Sequence, residues 1–303
     1  MSTSPTTPTM LAAHAPAKVN LYLHITGARD DGYHEVDSLV VFADIGDRLT
    51  LQTDHVGEDR LSITGPFAAA LSNFDVADNL VLRAADALAK HLGQNLDGLH
   101  FTLDKHLPLA GGIGGGSADA AAALRLLCGL WSVNADDAEV MALAASIGAD
   151  LPACLVSKPV ITRGIGEQLT PVSNLPALPA ILVNPGAAQP TPAVFKARRD
   201  IQLPFDPEVS WPRNGFTDAQ SVAAWVGANT TNGLDAPARS LAPVIGSVID
   251  RIAATDGCQL ARMSGSGSTC FGVYRTQNEA KAAAAGLQAG HPDWWVSATT
   301  LAA

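Results

Sequence analysis

Alternation and short apolar runs open the chain. "AKVNLYLHI" (17–25), "DSLVVFADI" (37–45) and "RLTLQTD" (48–54) have the period-two or continuous apolar character of strands. The period then changes: in "DNLVLRAADALAKHLG", Leu80, Val81, Ala84, Ala85, Leu88 and Leu92 fall on one helical face, with Asp78 as N-cap and Gly93 just past the end. "LHFTLDKHLP" returns to a strand and feeds the glycine-rich stretch "PLAGGIGGGSADAAAAL" (108–124). Helices are predicted from Ser117 to about Leu130 and over "DDAEVMALAASIG", after which "ADLP" starts a new element. Beyond about Gly164 come a buried-type strand "PAILVNPG", a polar linker over 204–214 and a helix near 241–254. The last quarter reads strand "CQLARMS", loop "GSGST", strand "CFGVYR", helix "NEAKAAAAGLQAG" and strand "DWWVSATTL". No fixed-period repeat interrupts this order, which predicts two α+β domains over 15–160 and 161–303 behind a disordered Ser/Thr/Pro tail over 1–14.

Composition narrows the partners. With 303 residues, 47% of them hydrophobic, the chain has enough apolar surface for a substantial core, and its formal charge of −10 speaks against coating nucleic acid. A polyanionic small molecule would have to be held by backbone N–H groups, a few cations and Mg²⁺. Cys128, Cys154, Cys258 and Cys270 are too scattered for a zinc site or a disulfide framework, so reduced thiols in the cytoplasm are expected. The start of the sequence has neither a basic segment nor a long apolar one, so no targeting signal is expected, and nowhere do about 18 apolar residues run together as a membrane span requires.

The stretch with five glycines among residues 111–116 admits three mechanisms. A Walker loop has the glycine spacing from Gly111 to Gly116, but Ser117 stands where a lysine should meet the phosphates. A dinucleotide fingerprint begins at Gly112-Ile113-Gly114, but Ser117 again replaces the third glycine and no acidic residue follows on a strand. What remains is a loop whose consecutive N–H groups line a concavity in front of a helix N-terminus, a cradle for an anion, with a flexible connector as the alternative. A second Gly/Ser loop, "MSGSGSTCFGV" (263–273), is by itself equally compatible with a hairpin turn.

Taken together, "APAKVNLYLHI", "PLAGGIGGGSADAA" and "ARMSGSGSTCFGV" resemble, in order and spacing, the three motifs of the GHMP kinase superfamily. "AKVNLYLHITGARDDGYHEVDSL", "GADLPACL", "GIGEQL" and "NGLDAPA" sharpen the likeness to those members that phosphorylate a cytidyl diphosphate-linked methylerythritol, the tetrapeptide Asp31-Gly32-Tyr33-His34 being the most discriminating. The resemblance implies an α+β, two-lobed GHMP kinase fold, with a mixed-sheet N-terminal lobe, an α/β sandwich C-terminal lobe and the active site between them. It also implies ATP with Mg²⁺ as cofactor and a small-molecule alcohol as acceptor. Another acceptor (homoserine, mevalonate or a sugar) and a non-catalytic nucleotide binder are the alternatives, and the protein is expected as a monomer or homodimer.

The residue roles implied by the resemblance are specific. Asp150 matches the catalytic base, with a helix N-cap as its ordinary alternative, and Lys18 matches the cation that keeps the base ionised and offsets transition-state charge. ATP falls to Lys105, Pro108, Leu109, Ala110, Gly111, Gly112, Ile113, Gly114, Gly115, Gly116, Ser117 and Ala118. Any grip on Mg²⁺ rests on Ser117 alone, because Ala118 occupies a position where many members carry a second serine. Tyr33 and His34 would stack on and read cytosine, Thr191 and Phe195 would close the pocket from the other side, and Asn20 would hydrogen-bond the substrate. Ser264, Gly265, Ser266 and Gly267 form the third-motif loop, while 232–238 departs from the usual acidic pattern.

Overall fold

The structure is a computed structural model describing residues 9–72, 75–212 and 214–302. Its strands are β1 (Met10–Ala28), β2 (His34–Gln52), β3 (Leu61–Thr64), β4 (His100–Asp104), β5 (Val160–Arg163), β6 (Gln168–Pro171), β7 (Leu178–Asn184), β8 (Cys258–Met263), β9 (Cys270–Tyr274) and β10 (Trp295–Leu301). The helices are α1 (Ala68–Leu71), α2 (Leu80–Leu92), α3 (Gly115–Leu130), α4 (Ala138–Ile147), α5 (Leu151–Val156), α6 (Thr191–Asp200), α7 (Ala219–Asn229), α8 (Asp235–Leu241), α9 (Val244–Ala253) and α10 (Gln277–Gly290).

The chain folds as two compact units, and they are not divided by one cut near residue 160. One holds the residues up to Ala15 with Gly46–Leu107 and Gly116–Leu155; the other holds Pro16–Ile45, Pro108–Gly115 and everything from Val156 onward. The reason lies in the inner part of β1, where Leu23 and Ile25 are buried among Ile181, Val183, Leu234, Ile245 and Met263 of the C-terminal half. The expected tail also differs. Residues 1–8 lie outside the described residues, but 10–14 open β1, anchored by the Thr53 N–H donating to the Thr9 carbonyl at 3.1 Å.

In the first unit β3 runs parallel to β4, and β4 pairs antiparallel with Arg48–Gln52 of β2. Helix α2 is amphipathic, burying Val81, Ala84, Ala85 and Leu88, and packs on α4. Its N-cap is Asn79, which accepts from the Val81 N–H at 2.9 Å, rather than the expected Asp78, which belongs to the preceding short turn. Gly93 ends it in the left-handed conformation, as expected.

The second unit contains an antiparallel array in the order β10-β7-β9-β8, covered by α9 and α10; Leu301 at the end of β10 meets Ala43 of β2. Strands β5 and β6 pair in turn beside Ser38–Val40 of β2. Ile245, Val248, Ile249 and Ile252 form the buried stripe of α9, and a capping box between Thr276 and Glu279 starts α10.

Where the sequence predicts two strands over 37–54, β2 is one. Each polar residue at the junction has a partner: Asp44 accepts from the Thr299 hydroxyl and, at 3.1 Å, from the Thr300 N–H, while Asp47 accepts from the His106 and Leu107 N–H groups. All four cysteines are free, and among the described residues no helix is long and apolar enough to cross a membrane.

Asp47 also anchors a buried charge cluster in the first unit. Lys105 Nζ donates to Asp47 at 2.5 Å and to Asp119 of α3 at 2.7 Å, and all three side chains are shielded from water. Burial works against the ammonium, yet the charges of Asp119 and Asp47 outweigh it and hold Lys105 protonated, above its ordinary value. Burial pushes the Asp119 carboxyl up to about 7, against the pull of Lys105. Lys105→Met strands two carboxylates around one apolar chain, so the free energy of unfolding in urea is expected to fall by about 3–5 kcal/mol. A loss below about 1 kcal/mol, the worth of an exposed ion pair, would contradict this role.

Candidate functional site

The glycine loop is held by close packing rather than left to move. A side chain at Gly111 would place its Cβ 2.8 Å from Thr269 Oγ1 and 2.9 Å from Asn184 Nδ2; at Gly112 it would meet the Ser264 carbonyl oxygen at 2.5 Å. Gly112 is also in the left-handed region at φ +71°, where an L side chain is strained. Two main-chain hydrogen bonds pin the loop: the Thr269 N–H donates to the Gly111 carbonyl at 3.0 Å, and the Lys18 N–H to the Ile113 carbonyl at 2.9 Å. Helix α3 starts at Gly115, so the free N–H groups of its first turn belong to the last glycines, Ser117 and Ala118. The glycines at 111 and 112 are thus demanded by crowding against the 264–269 loop, and a helix N-terminus follows them in the chain.

The third-motif loop is both a hairpin and a brace. Met263 pairs with Cys270 across β8 and β9, and the Ser264 N–H closes the loop on the Thr269 carbonyl at 2.9 Å. The Ser264 hydroxyl accepts from the Asn20 N–H and donates to the Gly112 carbonyl, each at 3.1 Å, tying β1 to the glycine loop. Ser266 shares a 2.8 Å hydroxyl–hydroxyl hydrogen bond with Thr191 at the start of α6. These serines therefore position the loop.

Asn232 was not singled out by role in the sequence, yet it secures this brace. Its Nδ2 donates to the carbonyls of Met263 and Gly265, both at 2.9 Å, and its Oδ1 accepts from the Leu234 N–H. The flanking N–H of Gly233 donates to the Leu23 carbonyl at 2.7 Å, which fixes the segment to β1. The Asn-Gly pair was the available signal. Lys105, conversely, is not an open nucleotide ligand: its ammonium is committed to Asp47 and Asp119, and the carboxylate set among the alanines of α3 was the sign of that.

The proposed base-recognition residues come together in the second unit. The β1–β2 hairpin turns at Gly32, φ +87°, with the Tyr33 N–H donating to Asp31 Oδ1 at 3.0 Å; the turn leaves Tyr33 58% exposed. His34 is buried next to it, its ring centroid 4.8 Å from that of Phe195 on α6. Burial, then the charges of Arg199 and Arg198, lowers the His34 pKa, which favours the neutral imidazole with one donor and one acceptor nitrogen.

Asn20 offers a second polar contact. Its Nδ2 donates to Ser38 Oγ at 2.7 Å, while its buried Oδ1 has no partner among the described residues. Lys18 is nearly fully buried on the same strand. Asp150 sits half-buried just before α5, where its carbonyl accepts from the Cys154 N–H at 3.1 Å.

Comparison with known proteins bears on this arrangement. Residues 79–158 match the GHMP kinases N terminal domain and residues 215–293 the GHMP kinases C terminal domain. A protein of Dinoroseobacter shibae named 4-diphosphocytidyl-2-C-methyl-D-erythritol kinase is 50% identical over 96% of this chain and 95% of its own. One of the same name from Paramagnetospirillum magneticum is 47% identical over 97% and 99%. A crystal structure of 4-(cytidine 5'-diphospho)-2C-methyl-D-erythritol kinase superposes with a TM-score of 0.76 at 33% identity, covering 97% of this chain and all of that one. L. major mevalonate kinase, at 18% identity and a TM-score of 0.71 over 99% of this chain and 98% of its own, shares the fold.

Gly112→Ala tests whether the loop's crowding matters for nucleotide. The variant is expected to keep the far-ultraviolet circular dichroism of the parent while kcat/KM for ATP falls at least about tenfold, or roughly 1.4 kcal/mol. Kinetics within about twofold of the parent would show that the close approach is dispensable.

Proposed function

Because this chain belongs to the GHMP kinase family, we propose that it transfers the γ-phosphoryl group of ATP to the C2 hydroxyl of 4-diphosphocytidyl-2-C-methyl-D-erythritol, giving the 2-phosphate and ADP in non-mevalonate isoprenoid precursor synthesis. The observation that carries the choice of acceptor is near-full-length identity of about 50% to kinases named for that substrate. The neutral His34 against Phe195, beside the exposed Tyr33, supports it physically. An aromatic face tolerates any base, whereas an imidazole with one donor and one acceptor can select among base edges.

Phosphoryl transfer is chiefly positioning and charge stabilisation. The glycine loop and the first turn of α3 cradle the ATP phosphates with backbone N–H groups. Asp150 takes the proton of the acceptor hydroxyl as the new P–O bond forms, and Lys18 offsets the charge on the transferring group. Asn20 orients the acceptor through its unpartnered Oδ1. Mg²⁺, when bound with ATP, neutralises phosphate charge; the half-buried Ser117 hydroxyl fits this hard cation as an oxygen donor, whereas the neighbouring carboxylate of Asp119 is committed to Lys105.

The full chain with ATP, Mg²⁺ and the cytidyl substrate is expected to form ADP and the 2-phosphate in equal amounts, with no comparable turnover of homoserine or mevalonate. Asp150→Asn should lower kcat by about 10²–10⁴-fold, the worth of a general base, with ATP binding retained. Tyr33→Ala should raise KM for the cytidyl substrate and leave KM for ATP alone. Absence of ADP with this substrate, or equal turnover of homoserine, sinks the assignment.

A further inference from the structure

We propose that His55, Asp59 and His100 of the first unit form a binding site for a divalent transition-metal ion of the Zn²⁺ type, separate from the Mg²⁺ that accompanies ATP. Each residue offers one ligand atom, and the three atoms lie within 4.8 Å of one another. His55 Nε2 stands 3.2 Å from Asp59 Oδ1, and the two imidazole rings have centroids 4.4 Å apart.

The backbone brings the three together from different segments. The His55 N–H donates to the Gly98 carbonyl at 2.9 Å, fixing the β2–β3 connection against the approach to β4. The parallel pairing of Leu61 with Phe101 sets Asp59 beside His100, and the Phe101 N–H donates to the Arg60 carbonyl at 2.8 Å. His100, almost buried, is oriented by a 2.9 Å hydrogen bond between Nδ1 and the Asp59 carbonyl. A carbonyl accepting from one ring nitrogen is the usual outer support of a metal-binding imidazole, since it fixes the tautomer and leaves a lone pair on the other nitrogen.

A Cβ on Gly57 would lie 2.4 Å from His55 Nε2 and 2.9 Å from Asp59 Oδ1, so the residue facing these two ligand atoms is one with no side chain. Metal–ligand bonds of about 2.0–2.2 Å require the three atoms to close up, which calls for adjustment of the partly covered His55 and the exposed Asp59 side chains. Two imidazoles and one carboxylate form a set suited to Zn²⁺, Cu²⁺ or Ni²⁺, and poorly to Mg²⁺, which prefers oxygen ligands. A bound ion would clasp the β2–β3 connection to β4, and binding only the folded state it would raise the unfolding temperature.

The test uses ZnCl₂ titrated calorimetrically into the full chain in excess Mg²⁺, with thermal unfolding followed in parallel. The parent is expected to bind one Zn²⁺ at this site and to melt higher with it. His55→Ala, in an exposed connection, and His100→Ala should each weaken that binding at least about tenfold and abolish the thermal shift. Circular dichroism and kinase turnover of the two variants report that they are folded. No Zn²⁺ binding by the parent, or affinity unchanged in the folded His55→Ala protein, overturns the site.

Discussion

The main chain of Gly111 and Gly112 runs against the 264–269 loop with no room for a side chain, and the candidate active site is built on that contact. Everything that fixes the cradle converges there: Thr269 holds the Gly111 carbonyl, the Ser264 hydroxyl links Gly112 to β1, and Lys18 holds Ile113 through its backbone. Asn232 anchors the bracing loop in turn. The loop's main chain is thus fixed in the absence of nucleotide, and under the proposed function less ordering free energy is lost on binding. At Gly111 and Gly112 glycine serves rigidity, because the missing Cβ allows a closer approach than any other residue would.

Buried charge plays a comparable part away from the loop. In the first unit, Lys105 and its two carboxylates lock the end of β4 to β2 and to α3, immediately before the cradle. In the second, Asp37 is fully buried and accepts from the Tyr22 hydroxyl, the Val209 N–H and the Arg163 guanidinium; burial and Asp37 together push the Tyr22 pKa upward and keep the phenol protonated. Such clusters contribute little net stability compared with apolar packing, but they tolerate few alternative arrangements and so hold strand register beneath the site.

Much of this was legible in residue order. Apolar periodicity located α2, α9 and the strands β7 to β10, because those elements have one dry face each. The missing lysine and third glycine left a phosphate cradle, and the family motifs supplied candidate roles for Lys18 and Asp150. What could not be read was set by contacts between distant segments. The two predicted strands over 37–54 are one, since Asp44 and Asp47 find partners at Thr300 and Leu107. Lys105 looked available for a nucleotide because nothing local reveals Asp47, 58 residues away. The two units do not follow a single cut in the chain for a similar reason: Leu23 and Ile25 of β1 are buried in a core most of whose members lie beyond residue 155.

Amide hydrogen exchange in the nucleotide-free protein tests this rigidity most directly. The N–H groups of Lys18 and Thr269 donate to the loop carbonyls of Ile113 and Gly111, so their protection reports whether the cradle is already formed. Slow exchange at both positions, little changed by an ATP analogue, is the expected result. Exchange at the rate of an unstructured peptide until the analogue is added would contradict it.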